Sequence, residues 1–337
     1  MRFKNILYAA AAAMALTACQ SDDAIETVQL KSQFPEDGVM RFTTNLVDPT
    51  IATTRASITG SDVNQNGQQF QVKIVNPTSA TYSYFNTVQY DGSEWTPLNR
   101  MLWQNDTQSI TVTAAYKQGK TFSDYDFVVG ADLTVAADQS TEAKLKQQDL
   151  LTMPTKTIAN PSIEETLMQN GKLVINFYHA LTKLDVTLEL KDEFYPANIQ
   201  ASDITEFTIS GTNAGYQFKA METANENYGT VTATASTAAD ILANQYNFTA
   251  GTAESKHSKA KYEAIVVPQQ IAIGALTVSF KIGTRSFSWT NTQAYTLEQG
   301  KQYTLPLTVG NDGVTAGSRA FSVSSWEEQP GDNLGTE

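Results

Sequence analysis

The feature that most limits what this chain can fold into is alternation. Runs in which apolar and polar residues exchange places recur along almost the whole of its 337 residues. Val28, Leu30 and Phe34 alternate with Gln29, Lys31 and Gln33, and Met40, Phe42, Thr44 and Leu46 alternate with Arg41, Thr43 and Asn45. Further runs lie at 70–76, 82–90, 109–116, 173–190, 204–210, 262–267, 276–282 and 303–309. A period of two marks half-buried strands, because successive side chains leave a pleated backbone on opposite faces. The 43 threonines add to the signal, since branched side chains pack well on a pleated surface. Asp37-Gly38, Asn66-Gly67, Asp91-Gly92, Asn170-Gly171 and Asp312-Gly313 are hairpin-type turn pairs. Residues 137–148 read as a short exposed helix, and 160–170 are a second helical candidate. Nothing repeats the strand–helix alternation of a parallel sheet. The expected fold is all-β, with two antiparallel β-sandwiches divided within 152–171, where Pro154, Pro161 and Asn170-Gly171 interrupt the pattern. Residues 327–337 hold acids, Gly and Pro with almost nothing apolar, and are expected to be disordered.

Charge and chemistry remove several classes of function. A net charge of −12 argues against nucleic acid as a partner, because phosphate binding needs a cationic surface. One cysteine excludes an intramolecular disulfide framework, and two histidines leave little material for a His/Cys metal site. Asp62-Val63-Asn64-Gln65-Asn66-Gly67 matches the first half of a calcium loop, but the twelfth position, where a bidentate Glu is needed, is Lys73. A plain turn between strands is the better reading. His179 lies in an apolar strand and is expected to be buried and hydrogen-bonded; His257 lies in a polar run and is expected to be solvated. The sequence contains no Gly-x-Ser-x-Gly elbow, phosphate-binding glycine loop or His-Glu-x-x-His. No enzyme activity, metal or cofactor is expected.

At the N-terminus, Arg2 and Lys4 precede an apolar run, 6–18, that is too short to span a bilayer and reads as a secretory signal. Its ending, Leu16-Thr17-Ala18-Cys19, resembles the lipobox of bacterial lipoproteins. That resemblance implies removal of residues 1–18 and acylation of Cys19, palmitate included, which would hold the chain to the outer membrane. Gln20-Ser21-Asp22-Asp23 is similar to the surface-export signal of Bacteroidota lipoproteins, or is simply a polar tether. Further on, Arg55 and Ala56 lie in a polar, Thr-rich stretch between strand candidates, a context open to proteolysis.

Several segments together resemble the fimbrillin (type V pilin) family of Bacteroidota. They are the lipobox at Cys19, Thr54-Arg55-Ala56, Asp149-Leu150-Leu151, the 173–190 run with Phe177-x-His179-Ala180-Leu181, the 262–269 run, Gly300-Lys301-Gln302-Tyr303 and the Trp326 region. They follow the family's order over nearly the whole chain. The resemblance implies two transthyretin-like β-sandwich domains and a lipoprotein precursor carried to the cell surface. It also implies trimming by an arginine-specific protease and strand exchange with like or related pilin subunits.

Laid on this chain, it gives a signal peptide at 1–18, a removable leader at 19–55, sandwiches at 56–165 and 166–326, and a flexible acidic tail at 327–337. Met40, Phe42 and Leu46 would leave with the leader after cleavage between Arg55 and Ala56. Phe321, Val323 and Ser325, which share one side of an extended segment, are the expected donor strand, with 303–309 as runner-up. There Pro306 removes a ladder donor and suits an edge strand. Both segments would otherwise close the second sandwich within one subunit. The expected role is a stalk or tip subunit of a pilus serving adhesion to a host or bacterial surface ligand. The alternatives are a pilus anchor and a non-polymerising surface lipoprotein that binds glycans or host ligands. In the last case Trp95, Trp103 and Trp289 would form a sugar-stacking platform; a place in the core is the preferred reading for all three.

Overall fold

The structure is a computed structural model that describes residues 34–47, 58–119, 131–164, 166–218, 231–234, 238–317 and 320–326. The first strands are β1 (Phe42–Leu46), β2 (Gln69–Asn76), β3 (Ser79–Tyr90), β4 (Trp95–Pro97) and β5 (Ile110–Lys117). There follow β6 (Ala131–Thr134), β7 (Leu150–Ile158), β8 (Met168–Gln169), β9 (Lys172–His179), β10 (Thr182–Leu190), β11 (Ile204–Asn213) and β12 (Gly215–Phe218). Next come β13 (Val231–Ala233), β14 (Ala238–Leu242), β15 (Asn244–Thr249), β16 (Ser258–Val266), β17 (Gln269–Ile271) and β18 (Thr277–Ile282). The last are β19 (Arg285–Thr290), β20 (Tyr295–Leu297), β21 (Lys301–Gly310), β22 (Gly313–Ala316) and β23 (Ser322–Ser325). Two short α-helices, α1 (Gly60–Val63) and α2 (Glu142–Lys146), begin at Thr59 and Thr141, whose hydroxyls accept from Asp62 N–H and Lys144 N–H. The fold is all-β, as the alternation predicts.

The first sheet departs from the expected open sandwich. Its strands run β1-β4-β3-β2-β5-β7-β9, and β1 also pairs with β9, so seven strands close into a barrel with β8 attached to β9. Closure leaves few free edges, which is one way an all-β protein avoids unwanted pairing. Phe70, Val72 and Ile74 of β2 point inward and are fully buried. In β5 the alternate threonines Thr111 and Thr113 are buried too, so that strand is covered on both faces. Phe42, Trp95 and Phe177 surround Phe70 at ring-centroid distances of 6.0, 4.8 and 5.6 Å.

The second half holds a sheet ordered β15-β16-β10-β21-β22, with β23 also on β21, and a four-stranded sheet ordered β14-β11-β18-β19. Leu184, Val186, Leu188, Phe207, Phe280 and Tyr262 belong to the core they share. Two hydrophobic clusters result, but they do not divide at 165/166. Leu167, Met168, Leu173, Ile175 and Phe177 pack in the first cluster, whereas Val135, Leu145 and Leu150 pack in the second, and β6 pairs with β12. The chain crosses between the halves more than once, and the apolar face of each strand decides where it goes.

The 152–171 segment is not a linker. Pro154 lies inside β7, where the register against β5 shifts between Val112 and Ala114, and a bulge accommodates a residue without an N–H. Residues 160–164 and 166–170 form turns and β8 rather than a helix. The Asn160 side chain accepts from Ser162 N–H, and the Glu164 carboxylate accepts from Thr166 and Leu167 N–H, which satisfies this backbone locally without helix bonds. Asn170-Gly171 is the two-residue loop of the β8–β9 hairpin, with φ of 50° and 73°. The helix expected over 137–148 is shorter, α2 alone, with Leu145 buried.

Candidate functional site

The functional geometry centres on the seam that β1 fills between β4 and β9. Along β9, β1 runs parallel, with Phe42 opposite Leu173 and Leu46 opposite Phe177. Main-chain bonds extend past the strand: Leu173 N–H donates to Arg41 O at 2.7 Å and Val47 N–H to Phe177 O at 2.9 Å. On the β4 side the register holds only Phe42 against Trp95. Just before it, Met40 N–H donates to Met101 O at 3.0 Å and Trp103 N–H to Gly38 O at 2.9 Å. The described segment 34–47 thus lies between two parts of the barrel and completes its ring.

Two of the three residues expected to leave with the leader are deeply buried. Met40 and Phe42 are enclosed in the first core, and Leu46 packs against that core while partly exposed. Burying Met40 and Phe42 contributes about 1.5–3 kcal/mol each. The calcium-like loop has another use here. The Asn64 side-chain oxygen accepts from Thr44 Oγ1 at 2.9 Å and from Trp95 Nε1 at 2.8 Å, so it ties β1 to β4. The Asp62 carboxylate accepts from Thr59 N–H at 2.8 Å and is paired with Lys146 Nζ at 3.1 Å. Burial would raise the Asp62 carboxyl, but the bonds from Thr59 and Lys146 outweigh it and hold the group below its usual range. On the outer side of the seam a trench of about 550 Å³ is lined by Thr43, Asn45, Gln169, Val174 and Asn176. Asn45 Nδ2 donates to Oδ1 of its ladder neighbour Asn176 at 3.2 Å.

Cys19, Arg55 and Ala56 lie outside the described residues. Described backbone resumes at Ile58, which is fully buried. At the other end β23 pairs antiparallel with β21, Val323 opposite Tyr303 and Ser325 opposite Lys301. Phe321 packs edge-on against Tyr295, with ring centroids 4.6 Å apart, while Val323 is 54% exposed. Phe321 is thus packed within the subunit while Val323 faces solvent. The runner-up, 303–309, is not an edge strand: β21 lies between β10 on one side and β22 and β23 on the other. Pro306 is tolerated because β23 pairs with 301–304 and β22 with 307–310, so neither reaches position 306. Trp95, Trp103 and Trp289 are all buried, which removes the aromatic platform.

His179 is buried, as expected, with Nδ1 2.8 Å from Asp149 Oδ2. Its ring stacks on Trp326 at 4.3 Å and 10°. The motif residues Asp149, His179 and Trp326, remote in sequence, thus meet where β7, β9 and the end of the described chain converge. Burial, with the Asp149 charge second, raises the nearby Tyr216 hydroxyl well above its ordinary value. His257 is not simply solvated: Nδ1 lies 2.6 Å from Glu189 Oε1 and Nε2 lies 2.7 Å from Asp192 Oδ1. Sequence gave no sign of the Asn64 tie or of the Trp326 stack, because both depend on register between distant strands.

The described chain is all-β, and its first described strand, β1, completes a barrel. The fimbrillin-like family matches residues 54–326. The chain belongs to that family, whose members are structural fimbrial and adhesion proteins of the cell surface rather than enzymes. Among solved structures it is similar to a candidate cell adhesion protein from Bacteroides uniformis, at 17% identity and a TM-score of 0.54, covering 87% of this chain and 99% of that one. A second, from Bacteroides ovatus, has 13% identity and a TM-score of 0.56 with the same coverage. At these identities the likeness is one of fold. A comparison with curated proteins gives no match.

Proposed function

We propose that this chain is a pilus subunit serving adhesion, made as a lipoprotein precursor acylated on Cys19 and exported to the cell surface. An arginine-specific protease trims it between Arg55 and Ala56, and the trimmed subunit polymerises by strand exchange. The observation that carries this reading is the position of β1: it completes the barrel, and it lies upstream of Arg55. Release of the leader 19–55 would expose the β4 and β9 edges and the pockets of Met40 and Phe42. A barrel opened in this way accepts a strand from a neighbour, main-chain bonds holding it and alternate side chains selecting it. The 321–325 segment is the donor in this reading. Its support is that β23 adds to β21 through a short ladder, 301–304, and leaves Val323 largely exposed. Two transthyretin-like domains, with the tail 327–337 beyond them, belong to the same proposal.

Substituting Arg55→Ala tests it. The variant is expected to remain an acylated monomer at the cell surface, while the parent gives ladders that survive detergent and collapse on boiling. Normal ladders from Arg55→Ala would refute the cleavage site.

The trench favours a second reading, a pilus anchor or a non-polymerising surface lipoprotein that binds glycans. Uncharged Thr43, Asn45, Gln169 and Asn176 suit sugar hydroxyls, and β1 forms part of the wall, so this site requires the leader to stay. An acylated, unpolymerised parent would favour it.

A further inference from the structure

In the second half, three side chains from three neighbouring strands meet on one buried face. Asn244 on β15 stands opposite Glu263 on β16, and Glu263 stands opposite Asp185 on β10. Lys183, two residues before Asp185, is on the same face. One carboxylate holds both of its neighbours: Glu263 Oε2 lies 2.7 Å from Lys183 Nζ, and Glu263 Oε1 accepts from Asn244 Nδ2 at 3.0 Å. The Lys183 and Glu263 side chains are 2% and 0% exposed, and Asn244 is buried. Beside them Asp185 accepts from Tyr246 Oη at 3.1 and 3.0 Å.

The geometry points to a covalent modification: an amide bond between Lys183 Nζ and Asn244 Cγ, formed within the chain with Glu263 as proton shuttle. Two charges buried together pay a large desolvation penalty. Moving the proton from the Lys183 ammonium to the Glu263 carboxylate removes both charges and leaves a neutral amine, the nucleophilic form of lysine. The amine nitrogen attacks Asn244 Cγ to give a tetrahedral intermediate. As the Cγ–Nδ2 bond breaks, Glu263 gives its proton to the departing nitrogen and recovers the proton that the attacking nitrogen loses. The amine and the carboxamide become one secondary amide and one ammonia, with no oxidant, metal or other reactant. Holding both groups on a single carboxylate supplies the proximity that such a slow reaction needs, and exclusion of water protects the product. The bond would tie β10 to β15 across β16, a covalent clamp over three strands of the second sheet. This inference does not depend on the pilus reading, since it concerns one chain alone.

The test is mass mapping of the full chain purified from cells. The expected result is a branched peptide that joins the segments around Lys183 and Asn244, lighter by about 17 Da, one ammonia, than the two separately. Glu263→Gln, which keeps the size of the side chain, is expected to leave the two peptides separate while circular dichroism shows an unchanged fold. Succinimide formation at Asn66-Gly67 or Asn170-Gly171 would also remove ammonia but yields no branched peptide. Separate peptides from the parent, or a branch that persists in Glu263→Gln, would overturn the proposal.

Discussion

Phe42 stands opposite Leu173 in parallel register, and this pairing closes a ring of seven strands. The same ring in Phe42 meets Phe70 at 6.0 Å inside the barrel. One residue of β1 therefore serves both the ladder and the core. Phe42→Ala is expected to destabilise the uncleaved chain by about 3–5 kcal/mol, the usual cost of emptying a buried aromatic site. Denaturant unfolding of the uncleaved chain checks this; a change under about 0.5 kcal/mol, typical of surface sites, would mean that β1 is not docked as described.

Asn64 offers a finer test of the same seam. Asn64→Ala leaves the Trp95 indole N–H and the Thr44 hydroxyl without their acceptor, at an expected cost of about 1–3 kcal/mol. Asn64→Asp keeps an oxygen in the same place and is expected to lose less. Equal melting temperatures for the two variants would show that the hydrogen-bond tie contributes nothing.

At the C-terminal end, two residues three apart should behave differently. Trp326 is buried against His179, and Trp326→Ala is expected to cost about 3–5 kcal/mol. Val323 is largely exposed, and Val323→Ala is expected to stay within about 0.5 kcal/mol of the parent in the isolated subunit. If 321–325 donates to a neighbour, Val323→Ala should nevertheless weaken polymerisation. Thermal unfolding and ladder formation, measured together, separate the two effects.

His257 predicts a pH dependence with a definite sign. Its hydrogen bond to Glu189 is the main influence, and with Asp192 it raises the imidazole above its ordinary value. A raised folded value means that the stabilisation is complete below the unfolded pKa of about 6.5 and is lost as pH rises through the folded value. Because the side chain is 39% exposed, the effect is expected to be small and to weaken with salt. Melting curves from pH 5 to 9 should show it for the parent and not for His257→Gln; identical curves would contradict the pairing.

Much of the fold was legible because alternation and turn chemistry are local. The strand at 70–76, the Asn170-Gly171 hairpin and the buried His179 all follow from residues near one another in sequence. Closure of the barrel does not, because nothing in 42–46 states that it will pair in parallel with 173–177. Pro154 and Pro306 misled for a related reason. A proline excludes a ladder bond, but only the neighbouring strands decide whether a bulge or a gap between partners removes the need for one. Asn64 belongs in sequence to a turn with calcium-like spacing, whereas its partners, Thr44 and Trp95, come from two other strands.

In the proposed assembly β1 is the piece of the subunit given up. The most direct measurement is peptide mapping, with N-terminal sequencing, of the protein inside detergent-resistant ladders taken from the cell surface. The expected result is an N-terminus at Ala56 and no peptide covering 42–46. Ladders that retain 42–46 would contradict it.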